Sequence, residues 1–302
     1  MISRRSALAA GLAVLAPSVR AAARLPVVAS FSILADLVRE VGGSTVTVQS
    51  LVPAGVDIHR YRPAPSEMRG VTEAAVFVIN GLGLEGWAER VAQAAGFKGT
   101  GVVASRGVPA LPGGHKHEEH QGEGGHSHGA HDPHAWQDVA NTRTYVENIR
   151  NGLIAADAAG AAGYRTQADA YLARLGTLDR DIRGILAPIP RASRRVITSH
   201  EAFNYYGDAY DVDFLAPVIS TEQEPSARAF ASLIAQIRRE GIRAMFLEQG
   251  ASPRLLEQIA RETGVKIGGT LYPDTLTPPG GPASSYIEMM LTNTRRIAAA
   301  LA

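Results

Sequence analysis

Histidine stands out among the residue types of this chain that can do chemistry. Seven of the nine histidines fall within residues 113–136, GGHKHEEHQGEGGHSHGAHDPHAW, and the other two are His59 and His200. A neutral imidazole nitrogen is a common ligand of Zn²⁺ and related transition metals. The sequence contains no cysteine, so a transition-metal site has to be built from histidine and carboxylate groups. These residues indicate a metal site, either within the histidine-rich stretch or beside it.

The segments that must position these side chains alternate between strand-like and helix-like patterns. Short runs rich in β-branched and apolar residues predict strands at 26–31, 45–51, 74–80, 100–105, 194–199, 211–217, 242–248 and 265–270. Helical spacing of apolar residues predicts helices at 32–41, 83–96, 139–157, 158–186, 201–210, 225–240, 252–263 and 284–301. The helix over 158–186 would be about 40 Å long. We therefore expect an α/β fold of two βα lobes with four-stranded, mainly parallel sheets, bridged by one long rigid helix.

The N-terminus has the features of an export signal. Arg4 and Arg5 precede an apolar run from Ser6 to Ala16, and the alanines at 21–23 offer cleavage positions. We predict a cleaved signal peptide at 1–23, with the general and the twin-arginine export routes both open. The predicted domains of the remaining chain are an N-terminal α/β lobe (24–157, with a histidine-rich loop at 113–131), a linking helix (158–187) and a C-terminal α/β lobe (188–302).

Composition and charge narrow the class of protein. Hydrophobic residues make up 45% of the chain and charged residues 20%, which is typical of globular proteins. The formal net charge is +1, which gives no indication of a nucleic-acid partner. The apolar run near the N-terminus is too short for a permanent membrane anchor. Without cysteine the chain forms no disulfide and carries no lipid on an N-terminal cysteine, so we expect a soluble exported protein without a lipid anchor.

Four polar residues lie where predicted strands of the two lobes end. His59 and His134 follow strands of the N-terminal lobe, and His200 and Asp274 follow strands of the C-terminal lobe. Ligands of open α/β sheets bind at the carboxyl ends of the strands, so a cleft between facing lobes would bring these four side chains together. Three imidazoles and one carboxylate suit tetrahedral Zn²⁺ and would also accept Cu²⁺ or Ni²⁺. A carboxylate at position 200 would instead favour Mn²⁺.

Each of the four residues also has an explanation that involves no metal. His59 alone is consistent with a surface loop, His200 with the start of a helix, His134 with the end of the histidine-rich stretch and Asp274 with an ordinary turn. A closed set of four ligands argues against hydrolysis, because catalytic zinc keeps a position open for water. The sequence also lacks the HExxH motif. The acidic residues nearby suit capping, support of a ligand or surface charge better than the role of a base: Asp138, Glu201 and Glu248.

The histidine-rich loop at 113–131 differs in kind from these four residues. Its glycines and charged residues cannot build a core, so we expect many weak metal-binding arrangements along it. We predict that the loop captures metal for the main site, because its tether keeps a high local concentration of imidazole there. The alternative is a solvated spacer with incidental affinity. The auxiliary histidines of this loop are His115, His117, His120, His126, His128 and His131.

Several longer motifs carry a family resemblance. They run in order from Val27 to the C-terminus: VVASFSILADLVREVGG, VPAGVDIHRYRPAPSE, NGLGLEGW, HDPHAW, TSHEAFNYYGDAY, EQEPSARAF and LYPDTLTPPG. These motifs resemble the metal-binding solute-binding proteins of ABC importers, in the zinc branch (ZnuA-like), and within it the AztC-like type with an aspartate ligand. The resemblance implies two α/β lobes bridged by a single rigid helix, with the metal between the lobes. The family's three zinc histidines match His59, His134 and His200, and its late carboxylate matches Asp274.

The resemblance also implies a function and partners. It implies a periplasmic protein that captures Zn²⁺ with high affinity, delivers it to an ABC transporter permease in the inner membrane, and catalyses nothing. We expect a monomer, with a periplasmic zinc chaperone as a further candidate partner. Alternatives that stay open are a carrier of manganese or another divalent metal, a secreted zinc-dependent hydrolase, and an adhesin or metal buffer without a permease.

Overall fold

Two four-stranded parallel sheets form the framework of the protein. The computed structural model describes residues 23–59, 61–113, 130–216, 227–248 and 253–302. The first sheet contains β1 Leu25–Phe31, β2 Val46–Val52, β3 Val76–Ile79 and β4 Thr100–Val103, in the order β2-β1-β3-β4. The second contains β5 Arg195–Ile197, β6 Asp213–Leu215, β7 Ala244–Glu248 and β8 Lys266–Leu271, in the order β6-β5-β7-β8. Neighbouring strands of both sheets pair in parallel, which confirms the predicted two-lobed α/β fold.

Helices connect the strands and cover both faces of the sheets. In chain order they are α1 Ser32–Gly42, α2 Pro65–Glu73, α3 Ala88–Ala94, α4 Val139–Ala156, α5 Ala161–Leu186, α6 Asn204–Tyr210, α7 Ala227–Glu240, α8 Pro253–Thr263 and α9 Tyr286–Leu301. Parallel strands need such crossover connections, because each strand must return to the same edge of the sheet. In the part of the chain that the structure describes, no helix is both long enough and apolar enough to cross a membrane.

The buried residues of β1 show why this strand lies in the middle of its sheet. Val27 and Ala29 face the central core of the protein. Val28 points the opposite way and packs with Leu51 and Phe77 under α2 and α3. Because both faces are covered, the strand consists almost entirely of apolar residues instead of alternating with polar ones.

Two helices differ most from the sequence prediction, and both differences have local causes. Helix α2 was not predicted, because proline and glycine interrupt its apolar spacing; its first turn is stabilised by the Glu67 carboxylate, which accepts the backbone N–H of Ala64 at 2.6 Å. The predicted helix at 83–96 is shortened to α3. The residues before α3 form turns, with Gly81, Leu82 and Gly83 at positive φ, a backbone conformation that a right-handed helix cannot include.

Helix α5 is the long helix that the apolar spacing predicts. Its 26 residues give a length of about 39 Å, and one turn of 3₁₀-helix at Ala158–Gly160 precedes it. The Asp157 side chain accepts the backbone N–H of Gly160 at that turn. One stripe of α5 is buried, from Tyr164 to Leu186, and it packs against α1 and α4 on one side and α9 on the other.

The core of the protein is continuous between the two lobes. One cluster of buried side chains joins the inner face of the first sheet, α5 and α9. Tyr286, the first residue of α9, donates its hydroxyl hydrogen bond to the carbonyl of Trp136 at 2.8 Å and accepts one from Thr142 at 2.9 Å. The Tyr286 backbone N–H binds the Asp36 carboxylate at 2.8 Å. The start of α9 is therefore fastened to the N-terminal lobe, although α9 also covers the second sheet.

Candidate metal centre

The structure brings the four predicted residues together between the two sheets. His59 lies in the loop after β2, His134 lies before α4, His200 follows β5 and Asp274 follows β8. Each residue offers one ligand atom, and these four atoms all lie within 4.8 Å of one another. The residues meet because the strands that precede them end at facing edges of the two parallel sheets.

The distances within this cluster fit a four-coordinate ion. The Nε2 atoms of His134 and His59 are 3.4 Å apart, and His134 Nε2 lies 3.4 Å from Oδ1 of Asp274. The other carboxylate oxygen, Oδ2, lies 3.5 Å from His59 Nε2 and 3.1 Å from His200 Nε2. A tetrahedron with metal–ligand bonds of 2.0–2.1 Å has edges of about 3.3–3.4 Å. The measured separations are close to these edges, so the side chains need little rearrangement to share one ion.

Two atoms of the cluster are buried without a well-formed hydrogen bond. Within the described part of the chain, His200 Nε2 and Asp274 Oδ1 make no hydrogen bond of good geometry, although Nε2 lies 3.1 Å from the other carboxylate oxygen of Asp274. A buried polar atom left in this way costs about 1–3 kcal/mol. A bound cation would accept the lone pairs of both atoms, so the orphaned atoms agree with the donor set in favouring a metal ion.

His134 is held by the neighbouring carboxylate of Asp132. Asp132 Oδ1 accepts the His134 backbone N–H at 2.9 Å and lies 2.8 Å from its Nδ1, and Oδ2 accepts an N–H of Asn204 at 3.0 Å. Burial favours a higher pKa for Asp132, but the bonds to His134 lower this pKa below its usual value. A proton on His134 Nδ1, directed at this anion, leaves the Nε2 lone pair for the centre of the cluster.

His200 has an equivalent partner in Glu248, the last residue of β7. Glu248 Oε2 contacts Nδ1 of His200, and Oε1 accepts the backbone N–H groups of Ser199 at 2.9 Å and His200 at 3.3 Å. Burial alone would lower the pKa of His200, but the charges of Glu248 and Asp274 raise this pKa well above its usual value. Glu248 therefore orients the ring so that Nε2 faces Asp274.

The loop of His59 is fixed by contacts of the residues that precede this histidine. The His59 backbone N–H binds Oδ1 of Asp57 at 2.8 Å, and the side chain of Ile58 is buried in the central core. Further back in the loop, the N–H of Gly55 binds Leu276 O at 3.0 Å. These contacts present the His59 ring to the cluster with only 16% of its side chain exposed.

Asp274 is the single acidic ligand candidate, and its surroundings keep it ionised. Burial alone would raise the pKa of Asp274, but the adjacent His200 and His134 hold this pKa well below its usual value. The preceding carbonyl, of Pro273, accepts hydrogen bonds from Trp136 Nε1 at 2.9 Å and Gln137 Nε2 at 2.7 Å. A buried anion surrounded by three imidazoles is an arrangement that binds a cation strongly, because the negative charge is poorly screened by water.

The histidine-rich loop is only partly within the described chain. Its histidines at positions 115, 117, 120, 126 and 128 lie outside the described residues. His131 is described; it is exposed and pairs with Pro112 in an isolated antiparallel bridge. Leu111 O accepts the N–H of Asp132 at 2.9 Å beside this bridge. The two ends of the loop therefore meet within three residues of His134.

The sequence analysis did not assign the carboxylate partners of the histidines. Asp132, which precedes Pro133 in a pattern typical of a turn, received no role there, and Glu248 was assigned only to capping, support of a ligand or surface charge. The signal for Asp132 was its position two residues before a candidate ligand, where its side chain can reach both the backbone and the ring of His134. For Glu248 the only signal was its place at the end of a strand. Asp138, by contrast, does cap its helix, accepting the N–H of Ala140 at 2.8 Å.

Curated relatives of this chain are named for several metals. The chain is 33% identical over 270 residues to the manganese-binding lipoprotein MntA of Halalkalibacterium halodurans. The aligned region covers 89% of this chain and 86% of that protein. It is 33% identical over 271 residues to the iron-binding protein YfeA of Yersinia pestis, covering 89% of this chain and 84% of that protein.

Solved structures with the same fold also include metal-binding proteins. The periplasmic zinc binding protein TroA from Treponema pallidum is 25% identical, with a TM-score of 0.80 over 92% of this chain and 99% of that chain. A manganese-bound periplasmic metal binding protein from Candidatus Liberibacter asiaticus is 26% identical, with a TM-score of 0.78 over 92% and 100%. The family model described as "Zinc-uptake complex component A periplasmic" matches residues 27–300. This chain therefore belongs to that family, the periplasmic metal-binding proteins of ABC transporters.

Proposed function

We propose that this protein is a zinc carrier, which binds one Zn²⁺ through His59, His134, His200 and Asp274 and delivers it to an ABC transporter permease. The observation that carries the proposal is the convergence of four ligand atoms within 4.8 Å, at separations that suit tetrahedral coordination. Zn²⁺ is the cargo of the protein. High affinity is expected, because the ligands are buried and two of the three rings are oriented by carboxylates.

The donor set supports zinc within a family whose members carry different metals. Three imidazole nitrogens and one carboxylate oxygen match the ligand preference of Zn²⁺, whereas Mn²⁺ prefers oxygen-rich sites. The second candidate function is transport of manganese or another divalent metal, which the names of the manganese-binding and iron-binding relatives favour. Both candidates use the same four residues and differ in the metal alone.

A competition experiment separates these two candidates. The purified protein is stripped of metal with a chelator and titrated with Zn²⁺ and Mn²⁺, each against a chromophoric chelator. We expect one tight site that binds Zn²⁺ in preference to Mn²⁺. His200→Ala should weaken this site strongly, whereas the matched control His131→Ala, which removes an exposed histidine of the loop, should leave it intact. Preference for Mn²⁺ would refute the zinc assignment, and equal losses in the two variants would refute the assignment of the site.

The remaining parts of the proposal concern location and partners. We propose an exported, monomeric periplasmic protein, with the signal peptide at 1–23 removed, and a permease in the inner membrane as its partner. A periplasmic zinc chaperone is a further candidate partner. Several relatives are named lipoproteins; the absence of cysteine from this sequence supports a form without a cysteine-linked lipid. Fractionation of cells that express the full chain, followed by mass measurement, tests both points.

We also propose that the protein is not an enzyme. Four protein ligands fill a tetrahedral zinc site, so no position is left for a hydrolytic water. The secreted zinc hydrolase considered above predicts turnover of ester or peptide substrates by the zinc-loaded protein, and the carrier predicts none. We assign the histidine-rich loop at 113–131 to metal capture, because its ends meet close to His134.

A further inference from the structure

We propose that the four ligands divide three to one. His59, His134 and Asp274 form a preorganised half-site, and His200 is the ligand that joins last and leaves first. This inference rests on the metal-carrier function proposed above and specifies how that site opens. It differs from the division that chain order suggests, which assigns two ligands to each lobe.

The first observation is that the loop of Asp274 is attached to the N-terminal lobe next to His134. Trp136 Nε1 and Gln137 Nε2 both donate to the carbonyl of Pro273, at 2.9 and 2.7 Å. Trp136 and Gln137 are fully buried and begin two residues after His134. A carbonyl held by two buried donors is costly to release, because the donors would lose their partner away from water. Asp274 therefore stays with His134.

The second observation is that the same loop is attached to the loop of His59. Gly55 N–H approaches Thr275 Oγ1 at 2.9 Å and Leu276 O at 3.0 Å. The Leu276 N–H in turn binds Ser32 Oγ at 3.0 Å, at the start of α1. The loops that carry His59, His134 and Asp274 are thus hydrogen-bonded to one another around the centre, although 215 positions separate the first of these residues from the last.

His200 is held in a different way. It lies in the stretch 198–203, which contains neither helix nor strand. The ring contacts Glu248, which belongs to the same lobe. The backbone of the stretch is also bound within this lobe: Ser199 N–H binds Glu248, and Thr198 N–H binds Leu215 O. Its side chain is 28% exposed, against 0% for His134. His200 is thus the most accessible of the four candidate ligands. Like Asp274 it follows a strand of the second sheet, but the backbone hydrogen bonds to Glu248 and Leu215 hold its stretch to its own lobe.

The helix after His200 limits the motion to a short stretch. Asn204 and Tyr205 at the start of α6 bind Asp132, through its Oδ2 at 3.0 Å and its carbonyl at 3.1 Å. The N–H of Leu111 binds the Tyr205 hydroxyl at 2.9 Å. Because α6 is fastened to the N-terminal lobe and the core, including Ala202 and Phe203, runs through both lobes, the release of His200 requires movement of the partly exposed residues 199–201 alone and no separation of the lobes.

Chemical rescue tests the division of the ligands. Co²⁺ alone is used as the probe, with the full chain and the variants His200→Ala, His134→Ala and Asp274→Ala. We expect His200→Ala to retain one Co²⁺ at the other three ligands, with an affinity at least about tenfold higher than in the other two variants, a difference of about 1.4 kcal/mol. Added imidazole should restore affinity in His200→Ala, because the vacated space opens to solvent, and not in His134→Ala, where the vacated space is buried.

A second pair of variants tests the attachment of the Asp274 loop without removing a ligand. Thr275→Val removes the hydroxyl that accepts the Gly55 N–H, and Thr277→Val is the matched control, since the Thr277 hydroxyl accepts the N–H of Ala283 within its own turn. Both threonines are buried. The Thr275 hydroxyl also lies 3.3 Å from Ser32 Oγ and 3.2 Å from Leu276 O. Because the Gly55 N–H keeps Leu276 O as an acceptor, we expect Thr275→Val to release Co²⁺ only about 2- to 10-fold faster, and Thr277→Val to release it at the wild-type rate.

The outcomes distinguish this inference from the proposed function. If the wild type binds no Co²⁺ or Zn²⁺, the carrier function fails and the inference with it. If the wild type binds tightly, but His200→Ala loses Co²⁺ as completely as His134→Ala and imidazole rescues neither, the three-to-one division alone is refuted. Equal release rates in Thr275→Val and Thr277→Val would likewise refute the role of the Asp274 loop. Circular dichroism and thermal unfolding of each metal-free variant exclude a folding defect.

Discussion

Replacing Glu248 by glutamine tests a residue that supports the proposed metal site indirectly, by contacting the His200 ring nitrogen that does not face the metal. Glu248 is buried, with Oε2 against Nδ1 of His200 and Oε1 against the N–H groups of Ser199 and His200. Glutamine has the same size but only one acceptor oxygen. If that oxygen keeps the backbone N–H groups, the amide N–H₂ faces His200 Nδ1 and drives the ring proton to Nε2, the atom needed for the metal. If the amide turns round, the backbone N–H groups lose their acceptor.

The expected loss of affinity is large enough to measure. Removal of a carboxylate that orients a ligating histidine lowers metal affinity about 10- to 100-fold, or about 1.4–2.7 kcal/mol. With a metal on Nε2 the ring proton is on Nδ1, so either amide orientation of Glu248→Gln leaves a donor facing a donor in the metal-bound state. We therefore expect the upper half of this range. The exposed Glu257 of α8 provides the matched control, and Glu257→Gln should bind metal as the wild type does.

The contact between Glu248 and His200 also predicts how the affinity difference between wild type and variant changes with pH. Burial alone would lower the pKa of His200, but the charges of Glu248 and Asp274 raise this pKa well above its usual value, so a metal ion competes with a proton for the ring. Affinity therefore rises with pH. In Glu248→Gln the pKa of His200 falls, so fewer protons are released. The affinity of the variant should approach that of the wild type as pH falls from about 8 to about 6.

Calorimetry measures both quantities. Zn²⁺ is titrated in the presence of a competing chelator at both pH values, in buffers of different ionisation enthalpy, so that the protons released are counted. Wild-type affinity of Glu248→Gln at the higher pH, or proton release equal to that of the wild type, would refute the role assigned to Glu248.

Other contacts give three further predictions. Asp132→Ala leaves the buried ring of His134 without its acceptor, so urea unfolding of the metal-free protein should show a loss of about 1–3 kcal/mol; unchanged stability would contradict this bond. The pKa of Asp36 is raised by burial to about 6, so the wild type loses stability as pH rises from about 4 through about 6; Asp36→Asn should be more stable at pH 8 by up to about 3 kcal/mol and lose this advantage below pH 4. Equal stability of the wild type and Asp36→Asn at pH 8 would contradict the raised pKa of Asp36. Deleting 115–131 should slow zinc loading in stopped-flow experiments, or lower the stoichiometry, and leave the affinity of the tight site unchanged; loss of tight binding would assign the site to the loop.

The local pattern of the sequence determined the secondary structure and the type of chemistry. Apolar and β-branched runs predicted the eight strands. In β1, β3 and β7 the run is almost entirely apolar, because these strands are buried on both faces. The spacing in α5 predicted its length to within three residues at its start. The absence of cysteine and the placement of His59, His134, His200 and Asp274 at strand ends singled out the residues that the structure then brings together.

The tertiary structure alone decided how these residues are supported. The pairing of Glu248 with His200 joins residues 48 positions apart, and the bond from Trp136 to Pro273 joins residues 137 positions apart. No local periodicity encodes such contacts. The first arises from the pairing of β5 with β7 within one sheet, and the second from the packing of the two lobes across a shared core. For the same reason, chain order places Asp274 in the C-terminal lobe, while its hydrogen-bonded neighbours hold it on the N-terminal one.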